Sequence, residues 1–299
     1  MSESPKEIPM IRFEGRIPHN AYRYSHGSMA TVFEIFVIHE NPRYAEQAVR
    51  EAFCELDRLE QELSRFIANS DISRINQLQK NQSTQIGLDA FSCLKQCAEL
   101  TDQTNGAFDI TVRKHSGLPL FELDETNFSV KLLSDSLQVD LGGFGKGYTV
   151  DQMAGLLTEW DIEIALIHGG QSSVLALAEP PGEEGWPVTL SYPDQEGKRI
   201  SFIHLKHRAL SGSGLQKGSH IIDPRTGKPV ENRVAAWAST PAGAKSDALS
   251  TAFMVMDPEE IEEYCKRNPD TSGLVIPNDK EKSEIHNPIL KFGEWDSLT

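Results

Sequence analysis

From Ser28 to His39 the chain reads SMATVFEIFVIH, with apolar and polar positions alternating and β-branched and aromatic residues abundant, and this predicts a strand. The period then changes. Ala45, Ala48, Val49, Ala52, Phe53, Leu56, Leu59 and Leu63 recur at spacings of three and four, so a helix is expected that ends near Ser64. A loop with a short helical turn follows over 64–77, then a second helix over about 88–103, stopped by the C-cap pair Asn105-Gly106. GAFDITV (106–112) leads into a strand or turn, and FSVKLL and LQVDL are expected to pair as a hairpin.

The second half repeats the mixture. GGFGKGYTVDQMAGLLTEW (142–160) begins with glycines and becomes helical, with Val150, Met153, Leu157 and Trp160 on one side. EIALIHGGQSSVLAL (163–177) reads as a buried strand, a glycine break and another strand. WPVTLSY and RISFIHL flank the turn PDQEGK as a hairpin. SDALSTAFMV (246–255) reads as helix. DPEEIEEYCKR (257–267) offers Asp257 as N-cap, Pro258 at the first helical position and Glu260 for a capping box. Strands and helices do not alternate strictly, so the fold class expected is α+β. Residues 1–25 read as a loosely ordered arm, and 26–299 as one domain within which two intertwined subdomains are allowed.

Composition narrows the function classes. With 38% hydrophobic and 24% charged residues, the chain can build a buried core. A formal charge of −15 repels phosphate backbones and anionic lipid, which argues against nucleic acid and membrane surfaces as partners. Cys54, Cys93, Cys97 and Cys265 form no CxxC pair and no disulfide framework, and are read as reduced core residues. No apolar stretch approaches the ~20 residues that span a bilayer. MSESPKEIPMIRFEGRIPHN has no apolar leader core and no lipobox-like cysteine. A soluble, cytoplasmic protein is expected.

Several short segments could carry chemistry. Asp247 and Thr251 are four apart on an expected helix, so a carboxylate and a hydroxyl share one face. Two hard oxygens suit Mg²⁺, but spacing alone favours the plainer reading of an Asp near a helix start and a Thr packed on its own helix. VDLGGFGKGYTVD (139–151) places glycines before a helix, where backbone N–H groups and Lys146 can meet phosphate. It has neither P-loop nor Rossmann spacing, and a tight strand-to-helix turn explains it as well. His220 precedes IIDPRTGKPV and is a candidate general base or phosphate contact. Asp223, Pro224 and Gly227 are ordinary turn residues. His168 reads as a satisfied histidine, and Phe108-Asp109 as a core aromatic beside a turn aspartate.

In this order, SMATVFEI, SRFIANSDISRIN, TNGAFDITV, VDLGGFGKGYTVD, IHGGQSS, ALSGSG, HIIDPRTGKPV and AKSDALSTAF resemble the FAD:protein FMN transferase (ApbE-like) family, from about residue 28 to 256. The resemblance implies a T-fold-like architecture with mixed and antiparallel sheets, helices packed on them and a flavin cleft. It implies that FAD is split at its pyrophosphate, FMN is joined to a threonine or serine of an acceptor protein, and AMP leaves. Carried over residue by residue, it implies Asp247, Thr251 and the Gly143 carbonyl as Mg²⁺ ligands, with Asp247 essential to catalysis. It makes His220 the residue that helps deprotonate the acceptor hydroxyl. Met29, Thr31, Phe66, Ala107, Phe108, Asp109, Asp140, Lys146 and Ile221 match positions lining the FAD site.

The chain departs from the family pattern at four places. Ala30 stands where glycine is usual, Phe66 where tyrosine commonly faces the flavin, Gly145 where many relatives have alanine, and Gln171 where many have Asp or Asn. Phe66 keeps a ring to stack and loses the hydroxyl. Many relatives are exported lipoproteins, so a chain without a visible leader is expected to act on a cytoplasmic acceptor. Two other readings stay open: an FAD pyrophosphatase giving FMN and AMP, and a non-catalytic FAD-binding protein. Intact Asp247, Thr251 and His220 argue against the last.

Overall fold

A computed structural model of the chain describes residues 10–13, 18, 20–111, 119–135, 137–192, 198–215, 221–278 and 288–295. The first half carries β1 (Ile11–Phe13), β2 (Ala21–Ser28), β3 (Thr31–Ile38), α1 (Pro42–Leu63), α2 (Asp71–Asn76), β4 (Ser83–Gln85), α3 (Leu88–Gln103), β5 (Phe121–Asp124) and β6 (Ser129–Leu132). Next come α4 (Gly145–Glu159), β7 (Ile164–Gly169), β8 (Ser173–Ala176), β9 (Trp186–Ser191), β10 (Arg199–Leu205) and β11 (Arg208–Gly214). The short pair β12 (Ile222–Asp223) and β13 (Lys228–Pro229) precedes β14 (Arg233–Thr240), α5 (Gly243–Val255), α6 (Pro258–Arg267), β15 (Ser272–Pro277) and β16 (Leu290–Phe292).

Eight strands form the main sheet in the order β16-β15-β14-β11-β8-β7-β3-β2, and every neighbouring pair is antiparallel. Its two faces follow from the two-residue period of a strand. On β3, Phe33, Ile35 and Val37 pack toward α1 and α4 with Ala48, Val49, Leu56 and Met153. Phe36 and Ile38 pack on the opposite face with Ile11, Trp186, Val188 and Leu190. Helices thus cover one face, and the small sheet β1-β9-β10 covers the other. The architecture is α+β, as the unalternated pattern of strands and helices predicts.

Local chemistry explains the helix limits. Asn41 Oδ1 accepts the N–H groups of Arg43 and Tyr44 at 3.1 and 3.2 Å, and Pro42 follows where its missing donor is harmless. Ser64 closes α1. Asn105 (φ 50°) and Gly106 (φ 74°) end α3 in the left-handed region, and the capping box of Asp257 and Glu260 starts α6.

Four expectations are corrected. Ile11–Phe13 and the first five residues of Ala21–Ser28, placed in a loosely ordered arm by sequence, lie in strands: backbone pairing to β9 and β3 holds them. The expected strand over 28–39 starts only at Thr31, because Met29 (φ 51°) and Ala30 (φ 56°) make the two-residue turn of the β2–β3 hairpin. Both positive φ values match a primed hairpin turn, which sequence normally signals with Asn or Gly. FSVKLL pairs with β5 and β4, not with LQVDL, which among the described residues has a single bridge, from Val139 to Thr111. Among the thiols, Cys93, Cys97 and Cys265 are buried, whereas Cys54 is exposed on α1. Most of the PDQEGK turn lies outside the described residues.

Candidate active site

The site forms where the N-terminal turns of α4 and α5 meet. The two helices touch through glycine. A Cβ on Gly147 would lie 2.1 Å from the Gly243 carbonyl oxygen, and one on Gly243 would lie 2.6 Å from that of Gly147. Only hydrogen fits at either position. This approach lets the Gly147 N–H donate to Asp247 Oδ2 at 3.0 Å. Ser173 Oγ, at the start of β8, donates to Oδ1 at 3.4 Å. Lys146 Nζ stands 3.7 Å from Oδ2 and also donates to the Gly142 carbonyl at 3.3 Å. Asp247 is buried, so its charge requires these partners.

One turn further along α5, Thr251 Oγ1 lies 3.1 Å from Ser213 Oγ on β11, and Ser213 Oγ lies 2.9 Å from Ser250 Oγ. A Cβ on Gly143 would sit 2.9 Å from Thr251 Oγ1, so glycine there leaves the hydroxyl directly against the loop backbone. The structure therefore gathers Asp247, Thr251 and Gly143, drawn from a helix and from a loop some hundred residues earlier. Among the described residues no group of three or more His, Cys, Asp or Glu side chains stands ready for a metal. A cation here would rest on a mixed set of carboxylate, hydroxyl and carbonyl oxygens, and that set suits a hard ion such as Mg²⁺. Two helix N-termini beside it favour a phosphate group.

Asp151 supports this junction and was not anticipated. From the second turn of α4 it accepts the N–H groups of Gly243 and Ala244 at 2.5 and 2.8 Å, capping a helix whose own N-cap, Ala242, supplies no side chain. Burial pushes its carboxyl up to about 6, against those two hydrogen bonds, with the charge of Asp247 adding to the rise.

Apart from Ile221 and His220, the other expected site residues fall into three groups. Phe66 is 84% exposed, with the Arg65 guanidinium 4.7 Å above its ring. Arg65 Nε also lies 3.4 Å from Asp140 Oδ2, and Asp140 Oδ1 accepts the Gly142 N–H at 2.9 Å. Arg65, Asp140, Lys146 and Asp247 thus alternate in sign along one track, and a cavity of about 390 Å³ lined by Arg65, Phe66, Ser73, Asn76 and Gln138 opens at its Phe66 end. Met29 is the first residue of the β2–β3 turn and Thr31 follows the turn at the start of β3. Met29 Sδ accepts Thr149 Oγ1 of α4 at 3.8 Å, and Thr31 Oγ1 lies 2.7 Å from where Gly170 (φ +67°) would carry a Cβ. Ala107 and Phe108, by contrast, are buried in the core beneath α3 and α5. Asp109 Oδ1 accepts both the N–H and the hydroxyl of Thr111 at 2.7 Å, as a turn aspartate does.

IIDPRTGKPV (221–230) carries the β12–β13 hairpin. Asp223 accepts the Arg225 N–H, the Thr226 hydroxyl and, on its carbonyl, the Gly227 N–H, with Gly227 at φ +73°. Arg225 ties the turn to Glu260 and to the Val255 carbonyl at the end of α5. Ile221 is buried at the hairpin base. His220 lies outside the described residues. His168 is buried with Nδ1 on the Gly170 carbonyl, and burial pushes its pKa down, which makes it a neutral structural residue.

Residues 29–275 match the ApbE family model. The chain belongs to the ApbE family. FAD:protein FMN transferases of Haemophilus influenzae and Escherichia coli K12 are among its relatives. The first is 25% identical over 260 residues, 73% of this chain and 75% of the relative. The second is 25% identical over 266 residues, 74% and 73%. The flavin transferase ApbE from Vibrio cholerae has the same fold, with a TM-score of 0.79 at 21% identity, covering 93% of this chain and 100% of that one. The ApbE segments converge on the junction described above: GGFGKG forms the loop and first turn of α4, ALSGSG lies on β11, and AKSDALSTAF makes up most of α5.

Sequence reasoning missed Arg65, Asp151 and Ser213. A lone basic residue in a loop carries no periodic signal. Asp151 caps a helix 92 residues downstream, beyond any local motif.

Proposed function

We propose that the chain is a Mg²⁺-dependent FAD:protein FMN transferase. The observation that carries this is the junction of Asp247, Thr251 and the Gly143 backbone, oxygen donors beside two helix N-termini. Asp247 and Thr251 would hold the ion through their side chains and Gly143 through its carbonyl. When bound, the ion offsets negative charge on the pyrophosphate oxygens. Gly147 and Ser173 hold Asp247 in place, and Ser213 orients the Thr251 hydroxyl. Arg65 and Lys146 supply positive charge along the track for the dinucleotide. Phe66 offers an exposed ring on which isoalloxazine can stack.

In the reaction an acceptor threonine or serine hydroxyl attacks the FMN phosphorus. The new O–P bond forms as the bridging P–O bond breaks, and AMP leaves with the bridging oxygen. The hydroxyl proton passes to a base, and His220, next to the hairpin anchored by Arg225, is the residue proposed for it. A pyrophosphatase would run the same cleavage with water as nucleophile.

The test is incubation with FAD and Mg²⁺, with and without EDTA, following AMP and FMN by chromatography, with and without candidate acceptor proteins. Mg²⁺-dependent AMP with FMN bound to the acceptor is expected. Equal AMP and free FMN, indifferent to acceptor, establishes the hydrolase. FAD returned intact under every condition, while still bound, overturns both in favour of a carrier. His220→Ala is expected to slow transfer on the order of 10²–10⁴-fold.

A further inference from the structure

Lys146 is the second residue of α4, and its ammonium lies between two oxygens. One is the Gly142 carbonyl at 3.3 Å, the other Asp247 Oδ2 at 3.7 Å. The Lys146 side chain is 25% exposed and that of Asp247 only 3%. A buried carboxylate therefore has its counter-charge delivered on a flexible four-carbon stem from the solvent side. The ammonium touches the carboxylate proposed as the metal's anionic ligand and a loop carbonyl next to the one proposed as another. Two cations on those oxygens repel strongly, because so little water reaches Asp247 to screen them.

Building on the proposed metal site, we infer that Lys146 and the divalent ion are alternative counter-ions of Asp247. The metal displaces the ammonium, which swings out along the track toward Asp140 and meets the pyrophosphate of the incoming dinucleotide. Each ligand then favours the other: the metal frees Lys146 for phosphate, and phosphate draws Lys146 off Asp247. Such linkage is reciprocal in free energy. It would keep the metal weakly held until substrate arrives. Lys146 in this role is a positioning residue, acting through Asp247.

Mn²⁺ serves as the probe, its free-ion paramagnetic resonance signal reporting binding without flavin. In Lys146→Met the stem remains and the competitor is gone, so Mn²⁺ is expected to bind tighter by on the order of 10-fold, within the usual range of site coupling. The same variant should melt lower than wild type without metal, since Asp247 is then buried without its counter-charge, and gain more in Tm when Mn²⁺ is added. FAD should tighten Mn²⁺ binding by a larger factor in wild type than in the variant. Lys146→Gln repeats the measurements should the methionine variant not fold. Unchanged or weaker Mn²⁺ affinity in both variants overturns the exchange, and equal FAD effects overturn the hand-over to phosphate. Mn²⁺ binding that is absent from wild type, or survives Asp247→Asn, removes the metal site itself and the exchange with it.

Discussion

Gly147 on α4 gives its backbone N–H to the Asp247 carboxylate on α5 at 3.0 Å, across a separation of 100 residues in sequence. The hydrogen bond exists because the same glycine lets α4 ride on the Gly243 carbonyl. A methyl group there would meet backbone at 2.1 Å, and backbone cannot rotate away. Gly147→Ala is expected to cost about 3 kcal/mol of stability or more, read by chemical denaturation. It should also lose Mn²⁺ binding at temperatures where it stays folded. A variant of wild-type stability would mean the helices are not in this contact.

Thr251 tests the hydroxyl separately from the shape. Thr251→Val keeps the branched volume and removes the oxygen that faces Gly143 and Ser213. Its Mn²⁺ affinity should fall on the order of 10–100-fold, while Thr251→Ser stays near wild type. Equal affinity in all three proteins would exclude the hydroxyl as a ligand.

Asp151 predicts a pH dependence. Its carboxyl is raised by burial from the usual carboxylate value to about 6. A carboxyl raised in the folded state stabilises the fold while protonated, so its contribution is complete below the unfolded value near ~4 and is lost as pH rises through about 6. Relative to Asp151→Asn, wild type should therefore lose on the order of 2 kcal/mol between roughly pH 4 and pH 7. Denaturant midpoints across that range measure it, and a flat difference would place Asp151 in water.

Ala30 stands at φ 56° in the second central position of the β2–β3 turn. An L-residue there costs about 1–2 kcal/mol, part of which glycine returns as freedom in the unfolded chain. Ala30→Gly should raise stability by about 1 kcal/mol with an unchanged denaturant slope. A loss instead would show that the alanine methyl has a packing role that outweighs its backbone strain.

What the chain spells locally, it spells legibly. Asn41-Pro42 and the three-and-four spacing mark α1, and Asp257-Pro258 with Glu260 marks α6. Met29-Ala30 hides its turn because neither residue is one that normally accepts positive φ. LQVDL alternates like a strand, but α2 claims its backbone instead: Asn76 bonds both the N–H and the carbonyl of Val139. At the site, one-helix spacing puts Asp247 beside Thr251. Nothing local says that Gly143 will face them or that Asp151 will cap their helix. Those relations belong to the packing of α4 on α5, and only the family resemblance made the first of them visible. Phe108, matched to the flavin-lining positions, has its side chain buried in the core.

The main sheet runs from a strand that starts at Ala21 to one that ends at Phe292, and its strand order leaves β14, β15 and β16 to complete one side last. During synthesis the glycine loop emerges first and waits for α5. Until that helix arrives, a nascent chain has the Gly143 backbone without Asp247 or Thr251. Most contacts at this junction are long-range, a topology that assembles slowly. A ribosome-bound fragment ending before α5 therefore lacks both side-chain donors proposed for the metal, so the chemistry becomes available only as the fold closes.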